Sequence, residues 1–201
     1  MAQQQKLPRA VPQTALTGCL RDRIQAQQDQ LDGKRFLSLD IESYERDHAF
    51  LTEFGWSISH PSATGPPTIT AKHFIVQEYL CFQNGAYVPD FRYSFMHGDS
   101  ETIPLGDVLQ HLEEDLSVEG TVLIGHGITS DFDMLESVGF DPRDFVSKIY
   151  DTKQIFQAKF AVPAPNLAKM CEKLGFETKY LHNAGNDAYW TLIAFLSMLK
   201  D

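Results

Sequence analysis

The chain has 201 residues, 43% hydrophobic and 22% charged, which is enough apolar material for a full core and too much for a wholly disordered protein. Seventeen basic against 27 acidic residues give a formal charge of −10, opposite to the balance by which proteins coat duplex nucleic acid. No run reaches the roughly 18 apolar residues that span a bilayer, the N-terminus lacks a secretory signal, and Cys19, Cys81 and Cys171 form no C-x-x-C pair, so the expected setting is intracellular and reducing, cytoplasmic or nuclear, with no membrane partner.

Residues 1–33 are a Gln-rich leader with Pro8 and Pro12. Leu16, Leu20, Ile24 and Leu31 line one face of a helix over 17–31, which would dock on the domain or recruit a protein partner. From residue 34 to 201 the pattern is that of one α/β domain. RFLSLDIE, FLTEFGWSIS (50–59) and ITAKHFIVQEY (69–79) read as three strands of antiparallel character. Apolar residues at 105, 108, 109, 112 and 116 predict a helix over 105–116. TVLIGHG predicts a buried strand, SDFDMLESVG (130–139) a helix stopped by Gly139, and KIYDTKQIF a strand running into a helix. PNLAKMCEKLG reads as a further helix, and NDAYWTLIAFLSMLK (186–200) as a buried terminal one. The expected fold is a mixed sheet with helices on its faces.

Three clusters carry the chemistry. In Asp40-Ile41-Glu42 the period of two sends both carboxylates to one face of a strand and Leu37, Leu39 and Ile41 to the other. Paired carboxylates on an apolar strand repel, and a hard divalent cation such as Mg²⁺ or Mn²⁺ is the usual compensation. In GHGITSDFDML a buried strand turns through glycines into a helix with Asp131 in its first turn and Asp133 on its solvent side. In His182-Asn183-Ala184-Gly185-Asn186-Asp187 a loop histidine stands five residues before an aspartate that opens a buried helix. Taken singly, each cluster also fits a solvated edge or a plain helix cap.

Together, Asp40 and Glu42, then Asp131, then His182 and Asp187 resemble the DEDDh 3′→5′ exonucleases of the ribonuclease H-like fold. TEFGWSI is similar to that family's second strand and Tyr150-Asp151-Thr152 to the strand after its second motif. HNAGNDAYWTL resembles an uncharacterised fungal branch. The resemblance covers residues 34–200 and implies two-metal hydrolysis of phosphodiester bonds, from the 3′ end of single-stranded RNA or short oligonucleotides, to nucleoside 5′-monophosphates. It implies Asp40, Glu42, Asp131 and Asp187 as ligands of two Mg²⁺ or Mn²⁺ ions, with Asp40 bridging, and His182 as general base. The sequence departs from the family after Glu42, where Ser43 and Tyr44 stand in place of a Thr and a Gly or Leu that contact the terminal nucleotide. Gly127 stands where several branches carry Asn. Ser43, Tyr44 and Phe132 are the candidate substrate contacts. Between Arg143 and Lys179, seven Lys/Arg against four acids make a local basic excess, with Lys153, Lys159, Phe156 and Phe160 as candidate groove residues. The competing reading is a nucleic-acid-binding or adaptor module with the same fold and little turnover.

Overall fold

A computed structural model describes residues 34–62 and 64–199, so the leader expected over 1–33 lies outside the described residues. Strand β1 (Arg35–Tyr44) forms the middle of a six-stranded sheet with β2 (Asp47–His60), β3 (Thr68–Val76), β4 (Ser100–Ile103), β5 (Thr121–Gly125) and β6 (Ile149–Asp151). The order across the sheet is β4-β3-β2-β1-β5-β6. β1–β2 and β2–β3 are antiparallel, whereas β1–β5, β5–β6 and β3–β4 are parallel. The first hairpin arm and the later strand–helix units therefore meet on β1, as the alternation of elements predicts.

The two faces of the sheet differ in residue size. Leu37, Leu39 and Ile41 of β1 join Phe54, Trp56 and Ile58 of β2 on the larger core. Helices α1 (Leu105–Leu116) and α2 (Thr129–Ser137) cover it, with Val108, Leu112, Leu116 and Leu135 buried there. The opposite face of β1 and β2 offers Ser38, Gly55 and Ser57, all small. Helix α5 (Ala184–Leu199), whose first residues are also small, lies directly on them. Ser38 Oγ donates to Ala188 O at 2.6 Å. A Cβ on Gly55 would collide with the Ala184 carbonyl carbon, so the helix start touches the strand backbone. Helices α3 (Thr152–Phe160) and α4 (Leu167–Lys173) complete this side, packing Phe156, Leu167 and Met170 against Ala194 and Met198. Helices thus cover both faces.

The sequence reading misses two features. β4 is only four polar-looking residues, Ser100 to Ile103, with no apolar run to announce it. A long connection between β3 and β4 folds back across the sheet, anchored through Glu45, whose carboxylate accepts from the backbone N–H groups of Gly85, Ala86, Tyr87 and Val88 at 2.8–3.3 Å. Of the expected basic groove, Phe156 is 2% exposed and belongs to the core, while Lys159 Nζ donates to Met198 O at the end of α5.

Candidate active site

Three elements bring the acidic clusters of the sequence to one place. The pleat of β1 aims Asp40 and Glu42 toward α5. A bulge after Glu42 leaves Thr52 as an extra residue of β2, its hydroxyl donating to Glu42 O, and sets Glu53 opposite Glu42 on the same face. At the first turn of α2, Asp131 reaches across to β1, and its Oδ1 accepts from Ile41 N at 3.2 Å. At the first turn of α5, Asp187 Oδ2 accepts from His182 N at 2.9 Å, closing the turn that precedes the helix. The close approach at Gly55 matters here because Gly55 pairs with Asp40, so the helix start carrying Asp187 is pressed against the strand that carries Asp40.

The electrostatics of this cluster are unfavourable to the protein alone. Asp131 and Asp187 are 5% and 8% exposed. Burial, reinforced by the Glu42 carboxylate, pushes each up to about 7. Asp40 is held well above the usual carboxylate range by burial and then by Asp187, Asp131 and Glu42. Asp40 Oδ2 and Asp187 Oδ1 are sealed from solvent without a hydrogen-bond partner. Orphaned buried carboxylate oxygens lack the positive charge that would compensate them. Hard oxygen donors in this number suit a divalent cation, and Glu42, His182 and Asp187 already offer ligand atoms within 4.8 Å of one another.

His182 stands at the mouth of the cluster, with half of its side chain exposed and Nδ1 3.8 Å from Glu42 Oε1. The Glu42 carboxylate raises its proton affinity. Its φ of 68° lies in the left-handed region, a conformation that non-glycine residues adopt only when held there. His126 is a half-buried neighbour instead. Nδ1 bonds the Thr152 hydroxyl at 2.9 Å, and burial lowers its pKa to about 4. Gly127 has φ 75° and lies under Lys153, whose Nζ would stand 2.6 Å from any Cβ placed there. Asp151, at the end of β6, caps α3 and accepts from Gly127 N at 2.9 Å.

The candidate substrate contacts are more engaged than the sequence implies. Ser43 Oγ bonds His48 Nδ1, and the Tyr44 ring packs on Phe82, which itself stacks on Phe50. Phe132 lies against the larger core with the Arg143 guanidinium over its ring. Exposed aromatic surface near the site comes from Tyr93, 72% exposed on the β3–β4 connection, and Tyr180, 46% exposed two residues before His182. Sequence reasoning misses these two, and it also misses Glu53, His73, Arg92 and Asn183, which form a buried cluster behind Asp187. The one sequence signal for that cluster is a charged residue, Glu53, inside the apolar run of β2.

A mixed sheet with this order, helices on both faces and acidic residues converging on its central strand is the arrangement of ribonuclease H-like nucleases. Residues 35–198 match the family model described as DEDDh, DNA polymerase III subunit epsilon-like, C-terminal domain, and the chain belongs to that family of exonucleases. A relative in Schizosaccharomyces pombe, the uncharacterized nucleolar protein C2C4.08, is 30% identical over 81% of this chain and 68% of its own length. The Saccharomyces cerevisiae uncharacterized protein YDR514C is 27% identical over 80% of this chain, which spans only 40% of that longer protein. Among solved structures, exonuclease I superposes with a TM-score of 0.59 at 15% identity, covering 83% of this chain and 41% of that one. The zinc-bound complex of Escherichia coli exonuclease I with single-stranded DNA superposes at 0.56 with 16% identity, over 84% and 41%. At these identities the likeness is one of fold. No helix among the described residues is long and apolar enough to cross a membrane.

Proposed function

We propose that this protein is a metal-dependent 3′→5′ exonuclease that releases nucleoside 5′-monophosphates from single-stranded RNA or short oligonucleotides. The observation that carries this reading is the convergence of Asp40, Asp131 and Asp187 from three elements, with two buried carboxylate oxygens unpartnered and His182 at the opening. Asp40, Glu42, Asp131 and Asp187 would hold two divalent cations, Mg²⁺ or Mn²⁺, which supply a hydroxide nucleophile and stabilise the leaving 3′ oxygen. His182 then takes the proton of the attacking water. Glu42 stands 3.8 Å from Nδ1 of that imidazole and raises its proton affinity. The β1–α5 contact holds these groups in one geometry, the positioning such a site depends on.

Substrate binding follows from what surrounds the opening. The chain carries a net charge of −10, so a long basic track for a duplex is absent from its overall balance. A 3′ end held over few nucleotides needs stacking surfaces more than charge. Tyr44 at the end of β1, with Tyr93 and Tyr180 beside the His182 turn, supplies them, and Ser43 and Phe132 border the same end of the sheet. The name of the nucleolar relative supports a nuclear location.

The test is incubation of a 5′-labelled single-stranded RNA with Mg²⁺ or Mn²⁺. A ladder shortening from the 3′ end, abolished by EDTA and by Asp187→Asn, is the expected outcome. Intact RNA alongside a metal-induced rise in Tm would favour the binding-module reading, and a matched DNA strand in parallel decides the sugar preference.

A further inference from the structure

Behind the carboxylate site lies a second polar cluster, buried as deeply as the hydrophobic core. Glu53, His73, Arg92 and Asn183 are 3%, 1%, 1% and 0% exposed. They come from β2, β3, the β3–β4 connection and the turn before α5. Glu53 Oε2 is 3.0 Å from His73 Nε2, and Oε1 is 3.8 Å from Arg92 Nε. His73 Nδ1 bonds the Ser100 hydroxyl, and Arg92 Nη2 donates to Phe82 O. Burial raises the proton affinity of Glu53, and His73 and Arg92 beside it offset part of that, whereas Asp40 Oδ2 and Asp187 Oδ1 have no partner.

Asn183 links this cluster to the site. Its amide nitrogen is 3.1 Å from Phe91 O, 3.2 Å from Arg92 O, 3.3 Å from His73 Nε2 and 3.4 Å from Glu53 Oε2. Its Oδ1 accepts from Asn186 N at 3.0 Å, the bond of a helix-capping side chain, and its carbonyl accepts from Asp187 N at 2.9 Å. Asn183 is thus the immediate neighbour of His182 in sequence and the acceptor that starts the helix on which Asp187 rides. Nothing else in the turn is anchored so many ways. The backbone of His182 sits in the left-handed region on one side of it, and Asp187 Oδ2 closes back on His182 N.

We propose that Asn183, seated on the buried Glu53–His73–Arg92 cluster, is a positioning residue that holds His182 and Asp187 against Asp40 and Glu42. It touches neither metal nor substrate and acts only through the turn. This inference rests on the exonuclease reading for its kinetic test, and on metal binding alone for its second one.

Asn183→Ser separates the two things Asn183 does. The serine hydroxyl still caps the helix through Asn186 N, but it is too short to reach the carbonyls of Phe91 and Arg92 or the Glu53 carboxylate. The expected result on labelled oligonucleotide is a fall of tenfold or more in kcat with KM changed less than threefold, together with a smaller Mn²⁺-induced rise in Tm than wild type shows. Asn183→Ala should fall further. If Asn183→Ser keeps wild-type kcat and the full Mn²⁺-induced rise, Asn183 is only a helix cap and the proposal is overturned. Should Asn183→Ser melt without cooperativity, Glu53→Gln takes its place, since it keeps the side-chain shape and leaves Asn183 intact. It must then show the same split between kcat and KM, and wild-type behaviour there overturns the proposal equally. Wild-type protein that cuts no oligonucleotide would remove the exonuclease reading, while the Mn²⁺-induced rise in Asn183→Ser against wild type still decides this one.

Discussion

Two carboxylates near the end of the same strand have opposite fates. Glu45 lies at the surface, where four backbone N–H groups of residues 85–88 bring it down to about 2, fully compensated by the protein itself. Asp40, five residues earlier, has a buried oxygen with no donor and is pushed well above the usual range by burial and by Asp187 and Asp131. One carboxylate fastens a loop, and the other waits for a charge the chain does not carry. The shortage of donors at Asp40 is local to the point where β1 meets the start of α5.

The comparison can be broken at several points. His182→Ala should lower kcat by about 10²–10⁴-fold if the imidazole is the general base, with the melting curve little changed. A pH–rate profile should show the acidic limb lost in that variant; its wild-type midpoint should lie above the ordinary histidine value, because Glu42 raises the proton affinity of His182. Gly55→Ala forces a methyl into the Ala184 backbone. It should cost about 1–3 kcal/mol of stability by chemical denaturation and should reduce turnover more than its stability loss explains, since it displaces Asp187 from Asp40.

Stability against pH sharpens the contrast. Asp131 and Asp187 have folded values near 7 against 3.8 in the unfolded chain, so their contribution favours the fold below about pH 4 and is lost as pH rises through 7. Metal-free protein should therefore melt at a lower temperature at pH 8 than at about pH 6, and Mn²⁺ should raise the Tm more at pH 8, where the carboxylates are ionised. Scanning calorimetry with and without EDTA measures both. The smallest effect belongs to the satisfied partner. Glu45→Gln should leave kcat unchanged and speed proteolytic nicking in the segment 80–90, which the Glu45 carboxylate fastens to β1.

Much of this was readable in advance, and for a physical reason. The period of two in β1 and the helical spacing over 105–116 place Asp40 and Glu42 opposite Leu37, Leu39 and Ile41 and the apolar face of α1 on the larger core, because residue size and polarity differ between the two faces of each element. Helix α5 begins at Ala184, two residues before the apolar pattern suggests, since the cap is Asn183, whose role depends on atoms of β2, β3 and the β3–β4 connection. Glu53 shows as a charge inside an apolar run, whereas Arg92 and His73 are ordinary in type and only their burial reveals them. Phe156 misleads for the converse reason. An aromatic residue reads the same on paper whether it faces the core, a neighbouring ring or open solvent.

The bond from Ser38 to Ala188 joins residues 150 positions apart. Contacts of that separation are slow to form and come late. During synthesis, β1 leaves the ribosome long before α5, and Asp187 arrives with the last helix of the domain. An unfinished chain therefore carries Asp40, Glu42 and Asp131 without the group that completes the site. On the proposed exonuclease reading, the acidic site is incomplete until the start of that last helix has been made.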